Sequence, residues 1–260
     1  LTYYPLFYIF KYRRKVVAGN LRNAFPERSA GELLAIEKRF YRHLTDVMFE
    51  TIKSYSISEK ELLKRLAFKG TELVDKYYEE GKNVIFCTGH YCNWEMIALG
   101  LGLKNRSQMV VIYKPISNKL FENWFTRLRT RFGAIFVPMR QTLRALSEFK
   151  ERAAFCFACD QSPVKEEAKY FVNFLKQPTA ALLGIEKVAR RTNYPVFYFK
   201  TTRVRRGYYT AECIPLAMEP ATTAPFEITN LHLAILEETI NKEPAYWLWS
   251  HNRWKHKPLN

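Results

Sequence analysis

His90 and Glu95 stand five positions apart in Gly89-His90-Tyr91-Cys92-Asn93-Trp94-Glu95, and together they offer an imidazole and a carboxylate. A carboxylate that holds a His fixes the ring tautomer and stabilises the imidazolium formed when the other ring nitrogen takes a proton. Such a pair can activate a hydroxyl. Within one regular helix, residues five apart point roughly 140° away from each other, so the two side chains meet only across a turn. The sequence supplies one. Asn83-Val84-Ile85-Phe86-Cys87-Thr88 is a continuous apolar run that predicts a buried strand. Asn93 is a good N-cap, and Met96, Ile97, Ala98, Leu99 and Leu101 follow it at helical spacing. The motif therefore sits at a strand-to-helix turn, where open α/β sheets place their chemistry. The competing assignment for a lone His beside a strand is a satisfied structural residue.

Other side chains compete for or extend this chemistry. Cys92 is two residues from His90, and a thiol there is a rival covalent nucleophile. Asp160 ends the apolar run 153–159, where a carboxylate must be paired or functional because desolvating it is costly. The five cysteines, at 87, 92, 156, 159 and 213, lie in or beside apolar strands and suggest reduced thiols. Cys156 and Cys159 have CxxC spacing but no second pair, so no zinc site is predicted.

The motif around His90 resembles the His, any four residues, then Asp or Glu signature of the glycerolipid acyltransferases, and its variant here is similar to the lipid A late acyltransferase (lauroyl/myristoyl) branch. Val111-Ile112-Tyr113-Lys114-Pro115 with Asn118, Arg129-Thr130-Arg131-Phe132-Gly133, and Phe157-Ala158-Cys159-Asp160-Gln161 resemble later blocks of that family in order. Tyr246-Trp247-Leu248-Trp249-Ser250-His251-Asn252-Arg253-Trp254-Lys255 resembles its closing motif. Lys114 stands where the family usually carries Arg, and Ser162-Pro163 replaces an acidic or small residue and Gly. The likeness runs from about Arg13 to Lys257. It implies acyl transfer from a thioester, on acyl carrier protein or coenzyme A, to a hydroxyl of a membrane lipid, with no cofactor or metal. His90 is then the base and Glu95 its orienting partner. Lys114 and Arg131 are candidates for holding a phosphate or supporting the oxyanion, or else are solubilising surface charges. Asp160 and Gln161 are candidates for binding the acceptor or bracing the site. The acceptor expected from the likeness is a lipid A precursor, with another glycolipid or aminolipid, or a non-catalytic lipid-binding protein on the same fold, as alternatives. It also implies a catalytic domain on the cytoplasmic face of the inner membrane.

These residues need a scaffold, and the chain is long enough to supply one. At 260 residues and 48% hydrophobic content, with no Pro/Ser/Gly-rich linker, 1–260 is predicted as one domain. Apolar runs at 84–88, 109–113, 134–137, 153–159, 195–201 and 208–216 alternate with helical patterns near 94–103, 118–131, 141–150, 179–192 and 225–241. That alternation predicts an α/β fold, a largely parallel mixed sheet covered by helices on both faces, which the likeness makes similar to glycerol-3-phosphate acyltransferase, plus an N-terminal helical arm. Ser29 and Glu32 form a capping box ahead of an amphipathic helix over 30–54, with Glu37, Lys38 and Arg42 on its solvated face.

Lys and Arg outnumber Asp and Glu by 41 to 25, a net charge of +16 that calls for an anionic partner. No helix-turn-helix, zinc-finger spacing or aromatic-basic recognition motif is present, which excludes nucleic acid in favour of a membrane surface or acidic carrier. The segment 1–15 runs from aromatic residues into Lys11, Arg13, Arg14 and Lys15. It reads either as the last turns of a membrane helix ending in a basic cluster or as an amphipathic helix with Tyr4, Phe7 and Tyr8 as buried anchors.

Overall fold

A computed structural model describes residues 2–258; Leu1, where the aromatic and basic segment begins, lies outside them. A short π-helical turn at Pro5–Ile9 leads into α1 (Arg14–Ala24) and α2 (Ala30–Ser54). The capping box forms as expected: the Ser29 amide donates to Glu32 Oε2 at 2.8 Å, and the Glu32 amide donates to Ser29 Oγ at 3.3 Å. Ile36, Phe40, Val47 and Thr51 of α2 are buried at helical spacing. Glu37 departs from the predicted solvated face, because it is buried and accepts a hydrogen bond from Arg14 Nε at 2.9 Å. Of the three N-terminal aromatics expected as anchors, only Phe7 is buried; Tyr4 and Tyr8 are exposed.

After α3 (Glu59–Arg65) come β1 (Leu66–Lys69), α4 (Glu72–Glu79), β2 (Val84–Thr88), α5 (Trp94–Lys104), β3 (Gln108–Tyr113), α6 (Lys119–Arg129) and β4 (Ile135–Pro138). The chain continues through α7 (Thr142–Glu148), β5 (Ala153–Ala158), a small hairpin of β6 (Phe171–Phe174) and β7 (Gln177–Ala180), and α8 (Gly184–Thr192). Two long strands, β8 (Val196–Arg205) and β9 (Tyr208–Ala217), and α9 (Glu227–Lys242) complete it. The helix expected over 179–192 is therefore shorter. Its first residues are recruited by the hairpin, where Thr179 pairs with Val172, and tertiary pairing overrides the local helical pattern.

The main sheet has seven strands in the order β1-β9-β8-β2-β5-β3-β4, and every pairing is parallel except β8 with β9. Successive strand residues point to opposite faces, and Val84, Ile85, Phe86 and Cys87 of β2 are all fully buried, so both faces are covered. The predicted α/β architecture is the one adopted. The chain leaves β2 toward β3 on one side and returns later to place β8 on the other. Crevices at the carboxyl ends of strands flanking such a reversal are where α/β sheets bind ligands.

Candidate active site

Register decides which side chains meet. β2 and β5 are neighbours, with Thr88 opposite Ala158, so His90 and Asp160 each lie two residues past a paired position. The two emerge side by side. His90 Nδ1 lies 2.6 Å from Asp160 Oδ1, and the His90 amide donates to Asp160 Oδ2 at 2.9 Å. Trp247 Nε1–H adds a third donor, 2.8 Å from Oδ2. Gly89 lets the turn pack closely beside them: a Cβ there would come within 2.9 Å of the Leu236 methyls, which would have to shift, and 3.4 Å of Asp160.

Burial by itself would raise the Asp160 pKa, but the His90 charge and the bonds from the His90 ring, Trp247 and the His90 amide outweigh it and hold the carboxyl well below its usual range. Burial would likewise lower His90, yet the facing Asp160 charge and hydrogen bond raise it above its ordinary value. An ionised Asp160 can only accept, so the ring proton sits on Nδ1 and Nε2 keeps its lone pair. That nitrogen can take a proton from a hydroxyl. Gln161 places its side-chain amide nitrogen 3.2 Å from Nε2.

The partner expected from spacing alone is engaged elsewhere. Arg129 Nε and Nη2 donate to the two oxygens of Glu95 at 2.9 and 2.6 Å, a forked ion pair at the end of α6. The Arg129 guanidinium also lies 4.8 Å from the centre of the Phe125 ring and 5.5 Å from that of Phe136. Asp160, not Glu95, is thus the carboxylate hydrogen-bonded to His90. The reason is local: Asn93 caps α5 by accepting from the Met96 amide at 3.0 Å, so Glu95 lies in the first helical turn and its carboxylate meets α6. Asn93 is itself held by a bond of 2.7 Å to Glu50, which also accepts from Tyr209.

The remaining expected residues divide. Arg131 is not directed at the site: its guanidinium caps the end of α2, donating to the carbonyls of Ser54 and, at 2.9 Å, Ile57. Lys114 is exposed just past β3. Cys92 is fully buried in a left-handed backbone conformation, φ 54°, and burial pushes its thiol well up. That is the opposite of what an activated thiolate requires.

Loop 246–248 shapes the other side. Leu248 donates its amide to the His90 carbonyl at 3.1 Å and Cys92 donates to that of Tyr246 at 2.9 Å, clamping the turn around a bridge between Tyr91 and Trp247. His251 accepts from the Ser162 amide at 3.0 Å, and burial lowers its pKa to about 4. Trp247, Arg129 and His251 lie in motifs read from the sequence, yet only burial and partners reveal their roles.

Beside the dyad opens a cavity of about 990 Å³. Leu44, Val47, Met48 and Ile52 of α2, Trp94 and Glu95 of α5, and Leu120, Phe121, Trp124 and Phe125 of α6 form most of its wall. Trp94, Phe121, Trp124 and Phe125 give this wall its aromatic surface. Phe132, at the far end of the same basic stretch as Arg129, lies in the core. Trp94 joins cavity to base, its ring edge-on to His90 at 5.2 Å. A family model described as bacterial lipid A biosynthesis acyltransferase matches residues 5–256.

The chain belongs to this acyltransferase family. It is 23% identical over 251 residues to the lipid A biosynthesis palmitoleoyltransferase of Escherichia coli (strain K12), covering 96% of this chain and 81% of that protein. It is 24% identical over 241 residues to a lipid A biosynthesis acyltransferase of Haemophilus influenzae, covering 92% and 74%. The E. coli lipid A biosynthesis lauroyltransferase is 20% identical over 254 residues, covering 95% and 81%. Within this acyltransferase family, residues His90 and Glu95 of the signature serve two separate ion-pair systems in the chain.

Proposed function

We propose that this acyltransferase moves a fatty acyl chain from a thioester, on acyl carrier protein or coenzyme A, to a hydroxyl of a lipid A precursor. The observation that carries the proposal is the His90 base, oriented by buried Asp160 and joined through Trp94 to an apolar cavity large enough for a lipid chain. His90 Nε2 takes the proton of the acceptor hydroxyl while Asp160 holds the ring and stabilises the imidazolium. The oxygen attacks the thioester carbon, the tetrahedral intermediate collapses, and the departing sulfur recovers the proton from His90. Arg129, held in place by Glu95 and close enough to bear on the His90 charge, takes the part of countering the oxyanion or an acceptor phosphate, in place of Arg131. The roles of Asp160 and Glu95 are therefore exchanged relative to the simplest reading of the His-x4-Glu motif. No step needs a metal or cofactor.

The membrane surface is the proposed workplace. No helix among the described residues is long and apolar enough to cross a membrane. Met48, Ile52, Leu120 and Phe121 line the cavity and are also solvent-exposed, so they form an apolar rim at its mouth. Leu6, Tyr12 and Arg13 of the N-terminal arm also line the cavity, and exposed Ile9 and Phe10 adjoin basic Lys11. This rim would rest on the cytoplasmic leaflet of the inner membrane, letting the acyl chain enter from lipid-like surroundings while positive charge meets anionic headgroups. Mass spectrometry of total lipids from cells with and without the protein tests the assignment. A lipid A species that gains one acyl chain supports it; a gain confined to another glycolipid or aminolipid reassigns the acceptor, and no change in any lipid contradicts it.

A further inference from the structure

His90 Nε2, the atom that must accept the hydroxyl proton, is already occupied. Because Nδ1 bears the proton shared with Asp160, Nε2 is an acceptor, and the group facing it at 3.2 Å must be the NH2 of Gln161. The backbone around Gln161 is fixed: Asp160 precedes it, and Ser162 follows with its amide bonded to His251 and its hydroxyl donating to the Arg253 carbonyl at 2.6 Å. The side chain is only half-buried, and its bond to His90 is a neutral one of ordinary length. A rigid root with a lightly held tip can swing without moving the dyad.

We propose that Gln161 is a positioning residue that stoppers the base: it keeps water off His90 Nε2 until the acceptor hydroxyl displaces it, and so suppresses hydrolysis of the bound thioester. This rests on the transfer reaction proposed above and adds a control on its competing reaction. In that side reaction a water gives its proton to Nε2, its oxygen bonds to the thioester carbon, and the carbon–sulfur bond breaks. The sulfur then takes the proton back, leaving a free fatty acid and a thiol. The same nitrogen serves both routes, so whatever holds it between acceptor visits sets their ratio. Once displaced, the amide is beside the incoming hydroxyl and offers a donor to the acceptor, the substrate-binding role its position in the sequence suggests.

The amide also stabilises neutral His90, since an imidazolium has no lone pair to receive it. Asp160, Glu95, Arg129 and His251 are the other charged or titratable groups that bear on His90, and none changes when Gln161 is replaced. A shift in the acid limb therefore reports the amide.

The test uses lauroyl thioesters of coenzyme A and of acyl carrier protein, following thiol release with and without a lipid A precursor. Gln161→Ala should raise acceptor-free thiol release and lower the ratio of transfer to hydrolysis by about tenfold, less than the full effect of a general base because His90 itself is retained. Its acid limb should move to higher pH. Gln161→Met, similar in length but lacking a donor, should move the acid limb while keeping hydrolysis nearer the parent's, because its bulk still excludes water. Gln161→Asn, one methylene short, answers the first question if the Ala variant melts early. Hydrolysis and acid limb both unchanged in Gln161→Ala would overturn the proposal while leaving the transfer reaction standing. Undiminished transfer by His90→Ala would instead remove the base beneath both.

Discussion

Asp160 and Glu95 are both buried carboxylates close enough to raise the His90 pKa, yet they stand in opposite kinds of surroundings. Asp160, its side chain 2% exposed, gathers a ring N–H, a backbone N–H and an indole N–H at a buried floor beneath the His90 ring. Glu95 lies on the cavity wall and receives the two-pronged fork of Arg129. A carboxylate fed by neutral donors keeps its negative charge available to a His. One matched to a guanidinium is neutralised as a pair and serves to anchor that cation. The floor is therefore built to hold a proton in place, and the wall to hold a positive charge beside an apolar chamber.

Breaking the floor should cost the most. Asp160→Asn keeps the shape but offers an amide where His90 needs an acceptor, and acyl transfer should fall by about four orders of magnitude, as expected when a catalytic His loses its tautomer. Residual activity should also change its pH dependence. The parent loses activity as the pH falls through the raised pKa of His90, so its acid limb should lie above the ordinary value of about 6.5. Removing the carboxylate lowers that pKa, and the acid limb should shift to lower pH in a profile of kcat/KM.

Breaking the wall should cost less and differently. Glu95→Gln leaves Arg129 without its fork partner, and misplacement of that cation should lower kcat by about a hundredfold. Its acid limb should move to lower pH by less than in Asp160→Asn, because Glu95 adds only a smaller share to the raised His90 pKa and Asp160 still faces the ring. A pH profile that moved as far for Glu95→Gln as for Asp160→Asn would erase the distinction between the two regions.

Leu44→Trp fills cavity space and leaves both carboxylates in the chain. Each methylene excluded forfeits about 0.8 kcal/mol, roughly fourfold in affinity, so competition between thioesters of different length should shift toward shorter chains. Rates with the shortest chains should hardly change. The smallest effect expected is from chelation. The sulfurs of Cys87 and Cys159 and a ring nitrogen of His232 lie within 4.8 Å of one another and are buried, but the proposed steps route no proton or charge through them. Prolonged treatment with a chelator should leave transfer unchanged, as a direct rate assay would show.

Much of this organisation can be read from residue order. The apolar run before Gly89, the Asn93 cap and the helical spacing behind it place His90 at a strand-to-helix turn, and the closing aromatic motif is equally plain. What a linear reading misses is set by sheet order. Asp160 is recognisable as a carboxylate that must have a partner, but its partner is fixed by the pairing of β2 with β5, between residues 70 apart. Spacing favours Glu95 instead because it is near in sequence. The same limit separates Arg129 from Arg131: both belong to one basic stretch, yet the first ends α6 facing Glu95 and the second lies beyond it, capping α2. β1 is short, half wetted and paired with β9 far along the chain, so no local pattern announces it.

Which carboxylate holds the base is read directly by 15N-labelled NMR of the His90 ring. The prediction is a protonated Nδ1 with a strongly downfield proton and an unprotonated Nε2 at pH values above the His90 pKa, preserved in Glu95→Gln and lost in Asp160→Asn. A downfield Nδ1 proton that survives in Asp160→Asn and vanishes in Glu95→Gln would contradict it.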